Sequence, residues 1–232
     1  MRTSFWTRIF DLVAPRTCCV CGRRLSAGES VICCSCHLHL PLTHFERDFH
    51  TNEMAQRFWG LIPLERAAAL FYYEAQSDMA RLIYDLKYHY RPELGEHLGR
   101  IAARQFAAAG FFQGVDAIIP TPLSRMRQWQ RGYNQSMEIA RGVSSVTGLP
   151  IDNKAVRRVS FHQSQTHLSR WQRQANIDSA FRLADARRVS NRHLLLIDDI
   201  VTTGSTLVAL AQELQKAGNV RFSILSLGYT KS

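Results

Sequence analysis

Residues 192–218 read RHLLLIDDIVTTGSTLVALAQELQKAG, and their order decides the fold. Leu194 to Ile197 form a continuous apolar run, the mark of a strand buried on both faces, so RHLLLID predicts such a strand. A Thr/Gly/Ser loop follows the acidic pair Asp198–Asp199. STLVALAQELQKAG then spaces Leu207, Leu210, Ala211 and Leu214 as one face of a helix, and Gly218 ends it. A buried strand that passes through a short loop into a helix belongs to an α/β domain with a mostly parallel central sheet.

The flanking sequence repeats the alternation. Arg66–Glu74 predicts a strand by its aromatic residues and length. Met79, Leu82, Ile83 and Leu86 give helical spacing, with Ser77 or Asp78 as N-cap. A second helix starts at Pro92 and stops at Gly110. Asp116–Leu123 is a short strand stopped by prolines. Asn134 caps a helix that Gly148 ends. AVRRVS (155–160) reads as a strand, 161–177 as a polar stretch without clear period, and 220–229 as the last strand. Pro41, Gly60 and Pro63 mark residues 41–64 as a connector with some helix around Asn52–Phe58. The expected division is 1–45 for an N-terminal helix and cysteine knuckle, 46–64 for the connector, and 65–232 for the α/β domain.

All six cysteines lie between Cys18 and Cys36. Cys18/Cys21 and Cys33/Cys36 form two C-x-x-C pairs, and Gly22 suits the first turn. Four thiolates match a closed, structural Zn²⁺ site that supplies folding energy to a segment too short for its own core. A disulfide framework is the competing reading and needs an oxidising compartment. Cys19 and Cys34 are buried fillers or substitutes for a neighbouring ligand. His37 and His39 read as surface residues. Phe5, Trp6, Ile9, Phe10, Leu12 and Val13 form an amphipathic helix that packs on the protein rather than anchoring it to a membrane. The N-terminus makes a poor signal peptide, and no apolar run reaches the roughly 18–20 residues of a membrane span, so a cytoplasmic protein is expected.

The loop Thr202-Thr203-Gly204-Ser205-Thr206 has the makings of an anion hole. Gly204 permits positive φ and close approach, and the amides join the positive end of the following helix. The four hydroxyls add donors. No P-loop pattern is present. Carboxylates repel phosphate, so Asp198 and Asp199 need another partner. They accept hydrogen bonds from hydroxyls and hold Mg²⁺. A ribose 5-phosphate satisfies the loop and the carboxylates at once.

LLLIDDIVTTGST resembles the phosphoribosyl-diphosphate (PRPP) signature of type I phosphoribosyltransferases. IIPTPLSRMRQWQRGYNQS (118–136) resembles the pyrophosphate-side loop of the ComF/GntX-like family, with its R-G-[FY]-N-Q element. Residues 163–181 resemble the same family's Q…L…R..N…AF element, and a four-cysteine knuckle is a feature of that family. The resemblance spans nearly the whole chain. It implies a type I phosphoribosyltransferase-like domain behind a zinc knuckle, in a ComF-type competence protein linked to uptake of single-stranded DNA in natural transformation. It implies that Asp198 and Asp199 are catalytic and hold the ribose hydroxyls, and that Thr202, Thr203, Gly204, Ser205 and Thr206 hold the 5-phosphate. Pro120, Thr121 and Pro122 would line the pyrophosphate, with Arg125, Arg127 or Arg131 beside it and Mg²⁺ bound with PRPP. Lys87 is a further candidate there or an ordinary helix-surface lysine. Arg170 and Arg173 would close a lid, or belong to a basic surface loop. Purine-salvage relatives carry an Asp at the first loop position. Thr202 stands there in this chain, which speaks against a purine acceptor.

The net charge of +10 favours anionic partners without separating metabolites from nucleic acid. Three functions fit. The first is phosphoribosyl transfer to an unassigned acceptor with release of pyrophosphate. The second is a non-catalytic module sensing PRPP or a nucleotide. The third is a DNA-binding adaptor that works with competence-machinery proteins. For the third, Trp129, Tyr133 and Trp171 among arginines offer a stacking surface, although core or lid packing explains them equally well.

Overall fold

The computed structural model describes residues 15–159 and 180–231. The amphipathic stretch 5–13, the lid candidates Arg170 and Arg173 and the stacking candidate Trp171 lie outside these residues.

Strands β1 (Leu64–Tyr72), β2 (Ala117–Pro120), β5 (His193–Val201) and β6 (Arg221–Tyr229) form one sheet in the order β1-β6-β5-β2. Every pairing in it is parallel, as the apolar runs require. Leu194 to Ile197 are buried completely, in register with Phe222 to Leu225 on one side and Ala117 to Pro120 on the other. A short antiparallel pair, β3 (Val156–Arg158) and β4 (Phe181–Leu183), stands apart from this sheet.

Helices α3 (Asp78–Tyr88) and α4 (Pro92–Ala107) connect β1 to β2. Ser77 caps α3, its hydroxyl accepting the Ala80 amide. Helices α5 (Arg125–Arg131) and α6 (Gln135–Thr147) follow β2. α4 and α6 pack backbone to backbone through glycines. A Cβ at Gly142 would stand 2.1 Å from the Glu96 carbonyl oxygen, and one at Gly99 2.3 Å from that of Ile139. Helix α7 (Ser205–Gln215) links β5 to β6. That crossover runs the opposite way across the sheet, and right-handedness puts α7 on the other face.

The N-terminal part carries α1 (Cys34–Leu38) and α2 (Glu53–Gln56, capped by Asn52). The stretch after α1 covers the outer edge of β1. The Tyr72 amide donates to the Pro41 carbonyl at 2.9 Å, and the Thr43 amide to that of Leu70 at 3.2 Å. An edge that would otherwise invite another strand is thereby closed.

β1 starts and ends two residues before the expected 66–74, β2 ends three residues before Leu123, and two further differences have a clear physical reason. Residues 125–131 form a helix where no periodic signal exists, because RMRQWQR has no buried residue. Its ends are nevertheless set locally, with Ser124 as N-cap and Gly132 in the left-handed conformation as C-cap. β5 also continues through the acidic pair to Val201, because β6 pairs with it as far as Val201↔Tyr229.

Candidate functional site

Asp198 and Asp199 stand at the carboxyl end of β5, where α/β sheets open their ligand crevice. Neighbouring strand positions face opposite ways, and the two carboxylates take separate partners. Asp198 Oδ1 accepts from Ser136 Oγ at 3.1 Å and from the Asp199 amide at 3.0 Å. Part of its surface opens to the crevice, yet the surrounding protein and the Asp199 charge push its carboxyl up to about 7. Asp199 Oδ2 pairs with Lys87 Nζ at 3.1 Å, and its Oδ1 accepts the Ile200 amide at 2.7 Å. Lys87 is therefore brought to the candidate site, held at the crevice end of α3.

The loop 202–206 leads directly into α7. Gly204 sits at φ +78°, and a Cβ there would stand 2.8 Å from the Phe58 ring. Only glycine combines that conformation with that approach. Thr203 Oγ1 lies 3.0 Å from Ser205 Oγ and accepts the Ser205 amide at 3.4 Å. The first amides of α7 open toward this loop, as an anion site needs. Arg57 fixes the loop from the connector. Its guanidinium donates to the Thr202 carbonyl, to Tyr229 Oη at 2.8 Å and to the Thr230 carbonyl at 2.8 Å, stacked over the Tyr229 ring. Arg57 carried no signal in sequence, since its partners lie at the far end of the chain.

The proline loop lies beside β5. Thr121 is buried, and both its amide and its hydroxyl donate to the Ile197 carbonyl at 2.9 Å. Asn134 caps α6 and donates to the Thr121 carbonyl at 3.1 Å, joining the loop to the helix that bears Ser136. Pro120 is buried, Pro122 half-buried, and Arg125 and Arg127 are exposed on α5. Arg131 turns back to Gln135 Oε1 at 3.0 Å and covers the Tyr88 ring at 5.6 Å. Gln135 Nε2 is buried without a partner among the described residues. Tyr133 is not a stacking residue. Its ring is buried against Tyr90 and its hydroxyl donates to the Leu86 carbonyl.

Arg158 on β3 was missed by sequence. Burial lowers its pKa, as does the charge of Arg127, while Asp198 opposes them. It stacks on Phe181 at 5.2 Å, so the β3–β4 pair brings a cation to the same crevice. AVRRVS gives no means of knowing which of its two arginines turns inward.

The Sγ atoms of Cys18, Cys21, Cys33 and Cys36 lie within 4.8 Å of one another. Tetrahedral coordination at about 2.3 Å sets sulfur atoms about 3.8 Å apart, and Cys21 and Cys33 stand at 3.8 Å. The Cys36 amide points at Cys33 Sγ at 3.4 Å and the Cys33 amide at Cys18 Sγ at 3.3 Å. The Cys36 amide and the neighbouring thiols lower Cys33, while burial and the thiols around it push Cys36 up, as expected of thiols crowded together. The donor set fits a metal. Cys19 and Cys34 stand outside the cluster. Cys19 is buried, which raises its pKa, and Cys34, His37 and His39 are exposed. Among the described residues, no helix is long and apolar enough to cross a membrane.

No family model matches the chain. DNA utilization protein YhgH of Shigella flexneri is 31% identical over 222 residues, covering 89% of this chain and 94% of that protein. YhgH of Salmonella typhi is 34% identical over 143 residues, and the match spans only 62% of its length and 60% of this chain. Competence protein F of Haemophilus influenzae is 40% identical over 104 residues, 44% of this chain and 45% of that protein. Among solved structures, the allosteric regulatory enzyme of purine biosynthesis is 19% identical with a TM-score of 0.41, covering 60% of this chain and 29% of that one. Adenine phosphoribosyltransferase from Leishmania tarentolae is 10% identical with a TM-score of 0.38, covering 78% of this chain and 88% of that one. With nearly the full length of the Shigella protein matched, the chain belongs to the ComF-type family whose members carry the names DNA utilization protein YhgH and competence protein F.

Proposed function

We propose that this chain binds PRPP at the carboxyl end of β5 and serves the handling of single-stranded DNA during natural transformation, with phosphoribosyl transfer as its chemistry. One observation carries the proposal: two carboxylates at the end of a buried parallel strand stand next to a glycine-kinked loop that opens a helix. Asp198 and Asp199 would accept the ribose hydroxyls. Thr203, Ser205, Thr206 and the amides from Gly204 onward would hold the 5-phosphate, with Thr202 anchored by Arg57. Thr121 and its flanking prolines would line the pyrophosphate, with Arg127, Arg131 and Lys87 meeting its charge. Arg158 joins these cations.

Transfer would break the bond between C1 and the pyrophosphate oxygen, and the acceptor would bond to C1 while losing a proton. Cations placed at the leaving group stabilise charge as it develops there. Mg²⁺, when bound with PRPP, would screen the pyrophosphate. Lys87 must release Asp199 for Asp199 to meet the ribose, and the pyrophosphate offers it a stronger partner.

The proposed organisation keeps 1–45 as the N-terminal unit with the knuckle, 46–64 as connector and 65–232 as the transferase-like domain. Zn²⁺ in the knuckle would require reduced cysteines, which fits a cytoplasmic protein. Competence-machinery proteins remain the proposed protein partners.

PRPP with Mg²⁺ should raise the melting temperature of the wild type and leave Asp198→Asn/Asp199→Asn unchanged. A wild type without a shift sinks the PRPP reading. Pyrophosphate release in a screen of bases and small amines would establish transfer. Silence across that screen, with PRPP bound, would favour the sensing module. A DNA-handling role gains support from Trp129, which is 86% exposed on the arginine-bearing α5. Single-strand affinity should fall with salt, and salt-independent binding would count against phosphate contacts.

A further inference from the structure

Arg57 ends the short helix α2 and lies outside the strands that build the site. Its guanidinium nevertheless reaches the first residue of the glycine loop. It donates to the Thr202 carbonyl, to Tyr229 Oη at 2.8 Å and to the Thr230 carbonyl at 2.8 Å. A planar fork with five donors can serve several acceptors in one fixed plane. The Tyr229 ring, whose centroid lies 4.7 Å from the guanidinium, supports that plane. Tyr229 is held in turn, since its hydroxyl donates to the Glu53 carbonyl at 3.1 Å. Asn52, the cap of α2, donates to the Ala67 carbonyl of β1 at 2.8 Å. Phe58, the next residue, is completely buried and fills the space that a Cβ at Gly204 would need. The guanidinium is therefore fixed in place by α2, β1 and the end of β6.

The peptide between Thr202 and Thr203 is trans, so its C=O and N–H point in opposite directions. The preceding carbonyl, that of Val201, is also drawn back, by the Thr230 amide at 3.0 Å. With the Thr202 carbonyl turned toward Arg57, the Thr203 N–H turns away from Arg57, toward the open side of the loop. Among the described residues that amide meets no acceptor, so it stays available to an anion. A hydrogen bond from a full positive charge to the carbonyl also polarises the peptide and makes its N–H a stronger donor.

From this geometry we infer that Arg57 is a positioning residue for the 5′-phosphate. It acts through the peptide 202–203 rather than on the ligand, aiming the Thr203 amide into the cradle and strengthening it as a donor. The inference rests on the sugar-phosphate reading above. It adds a source for the cradle's strength, a connector residue that precedes the first strand of the sheet.

Calorimetry of the full chain with ribose 5-phosphate tests it. Arg57→Ala should bind about tenfold more weakly than the wild type, as when one charge-assisted hydrogen bond stops supporting a donor. The replacement also removes packing on Tyr229, so a matched control is needed. Gly142→Ala, destabilised in the α4–α6 contact, should keep wild-type affinity. Methylguanidinium should restore most of the affinity of Arg57→Ala. Methylammonium, a cation without the planar fork, should restore none. The Thr203 amide proton resonance should move downfield when ribose 5-phosphate is added to the wild type, and should move less in Arg57→Ala. Wild-type affinity in Arg57→Ala, or the same Thr203 shift in both proteins, overturns the inference and leaves the sugar-phosphate reading intact. Weakening that Gly142→Ala shares and that methylguanidinium leaves unchanged makes Arg57 an ordinary brace and overturns it as well. A wild type that binds neither ribose 5-phosphate nor PRPP overturns both.

Discussion

Asp198 holds a charge that the folded chain resists. Its carboxyl is pushed up to about 7 by burial and by Asp199, against about 3.9 in an unfolded chain. Between about pH 4 and pH 7 the folded state therefore keeps a proton that the unfolded state has lost, and stability falls as pH rises through that window. Asp198→Asn should melt higher than the wild type at pH 8, by an amount on the order of a few kcal/mol, with the gap closing toward pH 4. Equal melting of the two proteins at every pH would show that the charge costs the fold nothing. The paired carboxylates and the loop were legible because they are contiguous, and each residue type states its own chemistry. Ser136, Gln135 and Arg158 were not. A serine inside a helix and one of two adjacent arginines declare no direction until tertiary packing supplies one. Lys87 was left between two readings for the same reason, and its partner Asp199 became visible only in the fold.

Elements with a buried face were read closely, because burial is what imposes a period. The helix capped by Asn134 and closed by Gly148 ran as expected. Helix α5 went unseen because exposure on all sides leaves RMRQWQR without a pattern, although Ser124 and Gly132 marked its ends. The glycines separate packing from binding. Gly142→Ala forces a Cβ onto the Glu96 carbonyl oxygen in the α4–α6 contact and should cost about 1–3 kcal/mol in denaturant unfolding, with PRPP affinity retained. Gly204→Ala meets both a positive φ and the Phe58 ring. It should cost a similar amount, about 1–3 kcal/mol, and weaken PRPP binding as well. If Gly204→Ala bound PRPP like the wild type, the loop would not be the phosphate cradle.

At the scale of the molecule, the cysteine cluster and the sheet are built together. Ser30 Oγ lies 3.3 Å from His97 Nδ1 on α4, and the chain from Pro41 to Thr43 closes the β1 edge. Loss of a bound metal should therefore reach the α/β domain. Purified protein should carry about one zinc per chain, and a chelator should lower the melting temperature and expose residues 15–40 to protease. Intact disulfides in place of metal would overturn the zinc reading. The spacing of the cysteines made this cluster legible. Its docking was not legible, because no local pattern says that residues 41–43 pair with a strand.

The account turns on one ligand in one orientation. A crystal structure of the chain with PRPP and Mg²⁺ tests that most directly. It should show the 5-phosphate on the amides and hydroxyls of residues 203–206, the ribose hydroxyls on Asp198 and Asp199, and Lys87 released from Asp199. A sugar phosphate bound elsewhere, with the Lys87–Asp199 pair intact, would contradict it.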